Sequence, residues 1–276
     1  MNAGSRALLA SAVSGSVPAI ENHAGPKHHA ASMIQVEGLT KLYNEFPAVT
    51  DLSFSVQAGE VLGLVGPNGA GKTTTLRCLA GIIPATRGTV RIAGHALAQE
   101  PIRAKHAMAF FSDEPRLFEY LTVQQHLAFT ARIYQVANYR ELARPLLEEL
   151  EIADKVNQLP GELSRGMKQK LVIACGLLHS PKVIFFDEPL TGLDPIGIRR
   201  MKDSIRKRAR EGAAIIISSH LLHMLEEVCS HVLILKNGRS LASGTLAAVR
   251  QKFSEHPDSN LEDVFFRATG EEATRP

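Results

Sequence analysis

Short apolar runs alternate with more polar segments through most of the chain. Residues 60–66 (EVLGLVG), 182–187 (KVIFFD) and 213–220 (AAIIISSH) are apolar runs typical of strands buried on both faces of a sheet. Residues 197–212 (GIRRMKDSIRKRAREG) lie between the last two runs and are predicted to form a helix. Buried strands that alternate with helices predict an α/β fold with a mostly parallel sheet.

Other parts of the chain have the two-residue period of half-buried strands. Residues 33–43 (MIQVEGLTKLY), 49–60 (VTDLSFSVQAGE) and 88–95 (GTVRIAGH) alternate apolar with polar positions. We therefore expect an antiparallel β subdomain beside the parallel core. Residues 231–244 (HVLILKNGRSLASG) contain Asn-Gly in their middle, which predicts a hairpin turn there.

A helical subdomain is predicted over about residues 101–165. Residues 122–136 (TVQQHLAFTARIYQV) begin with Thr122, a favourable N-cap residue, and residues 139–152 (YRELARPLLEELEI) follow with helical composition. Pro145 has no backbone N–H to donate, so we expect it to break or kink the second helix.

The two ends of the chain differ from the segment between them. Residues 1–32 are rich in Ala, Ser and Gly, and this composition predicts a disordered N-terminal extension rather than a metal site at its histidines. We expect one folded domain over 33–270 and a flexible C-terminal tail over 271–276. The sequence has no internal repeat, so a single unit of the fold is predicted.

Composition excludes several classes of protein. The 276 residues are 45% hydrophobic and contain no run of 18 apolar residues, so no membrane-spanning helix is predicted. The net charge of +3 is too small to predict binding to nucleic acid. Cys78, Cys175 and Cys229 lie in apolar segments without metal-ligand spacing, which predicts buried, reduced side chains.

Candidate chemistry begins at residues 66–75, GPNGAGKTTT. This stretch follows a predicted strand, precedes a predicted helix and fits the phosphate-binding pattern G-x-x-x-x-G-K-[ST], which identifies a P-loop. Lys72 is expected to reach the β- and γ-phosphates, and the Thr73 hydroxyl to bind Mg²⁺. The residues expected to contact a nucleoside triphosphate here are Gly66, Pro67, Asn68, Gly69, Ala70, Gly71, Lys72, Thr73 and Thr74.

Two acids follow a second buried strand. Asp187 and Glu188 stand at its carboxyl end, the edge of a parallel sheet where ligands bind. Together with a P-loop, this pair predicts that Asp187 holds the shell of Mg²⁺ and that Glu188 polarises the water that attacks the γ-phosphate.

A further helix begins within residues 163–170 (LSRGMKQK). Ser164 is placed as an N-cap and Gly166 allows close approach, so this helix start is either an ordinary cap or a second anion site. One nucleotide needs a single γ-phosphate cradle in one chain. A second cradle therefore predicts that the nucleotide lies between two subunits.

These motifs, in this order over about residues 34–270, resemble the nucleotide-binding subunits of ABC transporters. The resemblance implies that Tyr43 stacks on adenine, that Asp194 belongs to a loop contacting the second subunit, and that His220 is a switch histidine. Residues 261–270 (LEDVFFRATG) resemble the end of exporter-type (ABC-2-like) subunits, whose membrane part is a separate polypeptide.

Three residues depart from the family pattern. Arg165 and Met167 replace residues of the usual L-S-G-G-Q form, as in many exporter-type members, whereas Ser164 and Gly166 are retained. Asp113 occupies the place of a glutamine that touches metal and water. A shorter, charged side chain there puts in question how metal is coupled to the membrane partner. It does not exclude hydrolysis, because Asp187 and Glu188 remain.

The resemblance implies an ATPase, using ATP and Mg²⁺, that drives a separate membrane permease from the cytoplasmic face. Export is implied over import, and the second ATPase subunit is either identical or different. We expect contact with the permease through the helical subdomain, with residues 113–115 as the lever. Two alternatives are an ATPase of a soluble machine and a regulatory subunit that binds ATP without turnover.

Overall fold

The computed structural model describes residues 32–190, 193–253 and 259–270. Its strands alternate with helices as the apolar pattern predicts. The strands are β1 (Ser32–Tyr43), β2 (Phe46–Gln57), β3 (Val61–Val65), β4 (Arg87–Ile92), β5 (His95–Ala96), β6 (Met108–Phe111), β7 (Val183–Asp187), β8 (Ala214–Ser218), β9 (His231–Lys236) and β10 (Arg239–Thr245).

Helices surround these strands and fill most of the middle of the chain. They are α1 (Lys72–Leu79), α2 (Pro101–His106), α3 (Val123–Ile133), α4 (Tyr139–Glu149), α5 (Arg165–Leu177), α6 (Pro195–Arg210), α7 (Leu222–Val228), α8 (Leu246–Phe253) and α9 (Leu261–Thr269). Short 3₁₀ turns lie at Ala153–Lys155 and Pro160–Glu162. Among the described residues, no helix is both long and apolar enough to cross a membrane.

The larger sheet has the strand order β10-β9-β3-β8-β7-β6 within the described residues. Its neighbours from β9 to β6 pair in parallel, and β10 alone pairs antiparallel. The predicted mostly parallel core is therefore confirmed. Because the parallel strands run the same way, their carboxyl ends share one edge, to which β3, β7 and β8 each contribute a loop.

The smaller sheet has the order β2-β1-β4-β5 and pairs antiparallel throughout the described part of the chain, as the two-residue period predicts. Successive residues of the larger sheet point to two separate cores. Phe186 and Ile217 face the helices on one side, whereas Phe185 and Ile216 face α1 and the smaller sheet. Burial of both faces explains why these strands are almost continuously apolar.

Local signals are also confirmed where the side-chain chemistry is strong. The Thr122 side chain accepts a hydrogen bond from Gln125 N, and the Gln125 side chain accepts from Thr122 N, which completes a capping box at α3. Asn237 and Gly238 have φ of 50° and 73°, so the predicted hairpin turn joins β9 to β10 with both central residues in the left-handed region.

Three local expectations differ from the structure. The segment 101–165 contains strand β6, because a short apolar run such as Met108–Phe111 fits a buried strand as well as a helix. Helix α4 continues through Pro145, so the predicted break is wrong, whereas the alternative of a kink stays a prediction. Ser32 already belongs to β1, and the remaining residues of the predicted extension and the whole predicted tail lie outside the described residues.

Candidate nucleotide-binding site

The phosphate loop lies between the end of β3 and the start of α1. Gly69 and Gly71 have φ of 80° and 100°, conformations that favour glycine, and Gly71 is the N-cap of α1. A Cβ on Gly66 would lie 2.5 Å from the carbonyl oxygen of Leu235. The loop is therefore packed tightly against β9 and leads directly into the N-terminus of α1, where a helix can bind an anion.

Lys72 is held over this loop. Its Nζ donates hydrogen bonds to the carbonyl oxygens of Gly66, at 2.6 Å, and Pro67, at 3.1 Å. Burial lowers the pKa of the Lys72 ammonium, whereas the carboxylates of Glu188 and Asp187 oppose that shift. The cation thus lies between the loop and the two acids, where it can pair with phosphate oxygens.

Asp187 joins the loop to two strands. As the last residue of β7, it is paired in register with Ser218, the last residue of β8. Its Oδ1 accepts a hydrogen bond from Ser218 Oγ at 2.6 Å and from Thr73 Oγ1 at 3.2 Å. A carboxylate and a hydroxyl at this separation are the hard oxygen ligands that Mg²⁺ prefers, so the donor set fits that ion.

Glu188 and His220 form a pair at the same edge. Glu188 Oε2 lies 2.9 Å from His220 Nδ1 and 3.4 Å from the His220 backbone N, which donates to it. Glu188 has φ of 53°, and its own N donates to the Ser218 carbonyl oxygen at 3.0 Å. The structure therefore brings Glu188 and His220 to Lys72 and Thr73, from which they lie far apart in the sequence.

The adenine-side residue predicted from the resemblance is accessible. Tyr43 is the last residue of β1, its side chain is exposed, and Lys41 Nζ lies 5.1 Å from the centroid of its ring. An exposed aromatic ring is suited to stacking on a base.

The predicted second-subunit residues lie outside this cluster. Ser164 is exposed, is the N-cap of α5, and accepts a hydrogen bond from Met167 N at 3.3 Å. Gly166 lies in the first turn of α5. Asp194 is exposed, and its carboxylate caps α6 by accepting from Gly197 N at 2.8 Å. Within the described residues, none of these three is hydrogen bonded to the phosphate loop.

Asp113 follows β6, whose last residue is paired with Phe186 next to Asp187. Asp113 is exposed and lies at the sheet edge that carries Asp187 and Glu188. The side chain of Gln169, buried in α5, donates from Nε2 to the carbonyl oxygen of Ser112 at 3.4 Å. Gln169 and Ser218 were not predicted, because neither type of residue signals a site until the fold shows what it touches.

Two further features of the fold are the basic side chains of α6 and the cysteines. In α6, Lys207 and Arg208 pair with Glu149, and Lys202 pairs with Glu227, so its charge is largely matched within the fold. All cysteines are free, and Cys78 and Cys229 are buried, as predicted. Burial raises the pKa of Cys78 to about 11 and that of Cys229 to about 12.

Known proteins share these features. The family described as ABC transporter matches residues 49–191. The ABC-type transporter ATP-binding protein EcsA of Bacillus subtilis (strain 168) is 33% identical over 244 residues, which cover 88% of this chain and 98% of the relative. SkfA peptide export ATP-binding protein SkfE of the same organism is 34% identical over 75% of this chain and 87% of its own length.

A third relative and a solved structure agree with these two. Nod factor export ATP-binding protein I of Burkholderia orbicola (strain AU 1054) is 37% identical over 76% of this chain and 70% of its own length. A structure titled "Structure of ATP binding subunit of ABC transporter" superposes with a TM-score of 0.82 at 33% identity. That superposition covers 86% of this chain and 99% of that one.

Proposed function

The chain belongs to the ABC transporter family as an ATP-binding, ATP-hydrolysing subunit that energises a membrane permease, and we propose that its ATP site is completed by a second subunit. The phosphate loop, Asp187, Glu188 and His220 converge at one sheet edge, which supports the ATPase activity. Ser164 and Gly166 at the start of α5 make no hydrogen bond to that loop among the described residues, which supports the second subunit. In this arrangement, ATP is bound between two copies or between this chain and a related one.

Each residue of the cluster has a distinct task. Lys72 and the N–H groups of the phosphate loop bind the β- and γ-phosphates. Glu188 orients the attacking water and accepts its proton, and His220 holds the Glu188 carboxylate through the 2.9 Å contact. Tyr43 supports the adenine by stacking.

Mg²⁺ fits the oxygen ligands of this site. Thr73 and Asp187 would hold it directly or through water, and Asp113 borders the same edge. When bound, Mg²⁺ would supply positive charge that offsets the charge of the phosphates. The residues of this chain then position ATP and the water relative to each other.

The second subunit supplies the other half of the site. Ser164 is the exposed N-cap of α5, and Gly166 lies partly exposed in its first turn. The first N–H groups of a helix have no carbonyl partner within the helix, so this helix start can bind the γ-phosphate held by another copy. Leu193 and Asp194 would lie in the contact between subunits. Closure on ATP and reopening after hydrolysis would then shift the permease between two states.

Exposed aromatic side chains between β6 and the end of α3 suit the permease contact. Tyr120 is 88% exposed, Phe118 is 55% exposed, and Phe129 packs edge-on against Phe118. An exposed apolar cluster of this kind marks an interaction surface. We propose that it docks a permease at the cytoplasmic face of the membrane, with residues 113–115 carrying the movement.

Export is the proposed direction. The names of two relatives describe export of a peptide and of Nod factor, and residues 261–270 resemble the ends of exporter-type subunits. Selection of the cargo belongs to the permease.

The experiment that tests this function compares wild type with Glu188→Gln. Wild type is expected to hydrolyse ATP in the presence of Mg²⁺. Glu188→Gln should lose at least about 100-fold in turnover, because it removes the general base, yet elute as an ATP-dependent dimer on size exclusion. Glu211→Gln, an exposed change at the end of α6, serves as the matched control and should behave like wild type.

Two results would contradict parts of this proposal. A Glu188→Gln protein that turns over ATP like wild type would remove Glu188 from its catalytic role. Wild type that neither hydrolyses ATP nor dimerises at any concentration would exclude the identical-subunit arrangement and indicate that a different partner subunit is required.

A further inference from the structure

Ser218 contacts both acids of the site. It ends β8, is 0% exposed, and lies opposite Asp187 in the parallel pairing of β7 with β8. Its hydroxyl donates to Asp187 Oδ1 at 2.6 Å, and its carbonyl oxygen accepts from Glu188 N at 3.0 Å. We propose that Ser218 is a positioning residue that sets the geometry of the Mg²⁺-binding carboxylate, an inference that rests on the proposed function.

A hydroxyl at this position is not explained by the strand alone. The preceding residues of β8 are isoleucines, and Ile216 and Ile217 are fully buried. A buried hydroxyl is unfavourable unless it has a hydrogen-bond partner, and its partner here is the Asp187 carboxylate. An apolar residue would continue the pattern of the strand, so the serine indicates a role at the site.

The Ser218 hydroxyl binds one carboxylate oxygen of Asp187, Oδ1, and leaves Oδ2 without a hydrogen bond from the described residues. A short hydrogen bond from a neutral hydroxyl to a carboxylate is stronger than an ordinary one, and at 2.6 Å it is shorter than the 3.2 Å bond from Thr73. Both bonds reach Oδ1, and no described residue donates a hydrogen bond to Oδ2. Ser218 therefore fixes the rotamer of Asp187 while Thr73 and Oδ2 stay available to the metal and its water.

The backbone of the same residue constrains Glu188. Glu188 has φ of 53°, a left-handed conformation that a residue with a Cβ adopts only when its surroundings hold it. The hydrogen bond from Glu188 N to the Ser218 carbonyl is one such restraint, and the contacts with His220 are the other. The end of β8 thus positions Asp187 through a side chain and Glu188 through the main chain.

Three substitutions separate the hydrogen bond from simple packing. Ser218→Ala removes the donor, Ser218→Cys keeps nearly the same size with a weak donor, and Ser218→Thr keeps the hydroxyl on a residue that strands accommodate well. Ser219→Ala is the matched control: Ser219 is equally buried, but its hydroxyl accepts from Leu221 N rather than contacting an acid.

The experiment measures two quantities for each variant. The first is the Mg²⁺ concentration at half-maximal ATPase rate under saturating ATP, together with kcat. The second is Mn²⁺ binding to the ATP-bound protein in the Glu188→Gln background, followed by electron paramagnetic resonance. For the Ala and Cys variants, we expect the half-maximal Mg²⁺ concentration to rise about tenfold and the affinity for Mn²⁺ to fall about tenfold. This is the effect of losing one hydrogen bond to a charged group.

The remaining variants should separate positioning from stability. Ser218→Thr retains the hydroxyl and should keep both values within about twofold of wild type, as should Ser219→Ala. Unchanged metal dependence in Ser218→Ala, or wild-type behaviour of Ser218→Cys, would overturn the proposal. If wild type alone does not hydrolyse ATP, the identical-subunit form of the proposed function fails, but the Mn²⁺ measurement still decides the role of Ser218.

Discussion

At the scale of single residues, position in the fold decides what a side chain does. The chain has 11 histidines, and two of them illustrate this. His220 is exposed and contacts Glu188 at the nucleotide edge. His179 is partly buried at the end of α5, with its ring stacked on Tyr134 at 3.8 Å between centroids. We propose a chemical role for the first, whereas the second contributes to packing.

We predict that His220→Ala lowers ATP turnover about 100-fold, because the Glu188 carboxylate loses the contact that orients it. The unfolding free energy should change by less than about 0.5 kcal/mol, since the side chain of His220 is mostly exposed. Steady-state ATPase assays and thermal melts check both values. His223→Ala, an exposed histidine just beyond, is the control, and an equal loss of activity there would contradict the assignment.

His179 gives a prediction about pH. Burial lowers its pKa to about 4, with a smaller contribution from the charge of His106, while a hydrogen bond to the Met108 carbonyl opposes the shift. The unfolded chain therefore binds more protons between about pH 6.5 and 4, so stability falls as the pH drops through this range. After allowance for partial exposure, the loss attributable to His179 is about 2 kcal/mol.

Urea unfolding of wild type and His179→Phe between about pH 7 and pH 4 measures this contribution. Phenylalanine keeps an aromatic ring against Tyr134 but does not titrate. The free energy of unfolding of wild type minus that of His179→Phe should decrease as the pH falls. A difference that stays constant across the range would show that His179 is not held neutral by the fold.

At the scale of elements, the turn between β9 and β10 supports the phosphate loop. Gly238 N donates to the Ala70 carbonyl oxygen at 3.1 Å, and Thr50 N donates to the Gly238 carbonyl oxygen at 2.8 Å. A hairpin near the C-terminus thereby joins the phosphate loop to β2. The sequence predicts the hairpin from Asn-Gly, but its contact with the site depends on the packing of three distant segments.

Gly238→Ala should therefore affect both stability and ATP binding. A Cβ there would lie 2.7 Å from the Ala48 carbonyl oxygen, and φ is 73°, so we expect a loss of about 2 kcal/mol and severalfold weaker ATP binding. Gly212→Ala, at φ of 96° with nothing within 4 Å, is the control for backbone strain. It should leave ATP affinity unchanged, and equal weakening in both variants would argue against a supporting role of the turn.

Helix α4 contains an interior proline, a residue that destabilises a helix. Pro145 is exposed within the helix and cannot donate to the Glu141 carbonyl. Pro145→Ala should raise the unfolding free energy by about 1–2 kcal/mol, since the gain in helix propensity exceeds the added freedom of the unfolded chain. Thermal denaturation measures this, with the exposed Arg144→Ala as control. A lower melting temperature for Pro145→Ala would contradict the argument.

At the scale of the whole molecule, the sequence predicts the features that depend on residues close together in the chain. The phosphate loop, the Thr122 cap and the buried strand ending at Asp187 each carry a local pattern, and all three are confirmed as structure. The sequence does not predict strand β6, the contact of Ser218 with Asp187 or the contact of Gln169 with the Ser112 carbonyl. A four-residue apolar run suits either a helix or a strand, and a lone serine or glutamine has meaning only through its neighbours in the fold.

The whole molecule also separates the two halves of the proposed site. The phosphate loop and its acids form one cluster. Ser164, the exposed N-cap of α5, and Gly166, partly exposed in its first turn, make no hydrogen bonds to that loop among the described residues. This separation is the reason that we propose a second subunit to complete the site.

The most direct test is specific ATPase activity measured against protein concentration, for wild type and Ser164→Arg. The account predicts that wild-type specific activity rises with concentration and then saturates, because two subunits form each site. Ser164→Arg should remain folded by thermal melt but lose this rise, since the exposed arginine blocks the surface facing the other subunit. Specific activity that is independent of concentration, and equal in both proteins, would contradict a shared site.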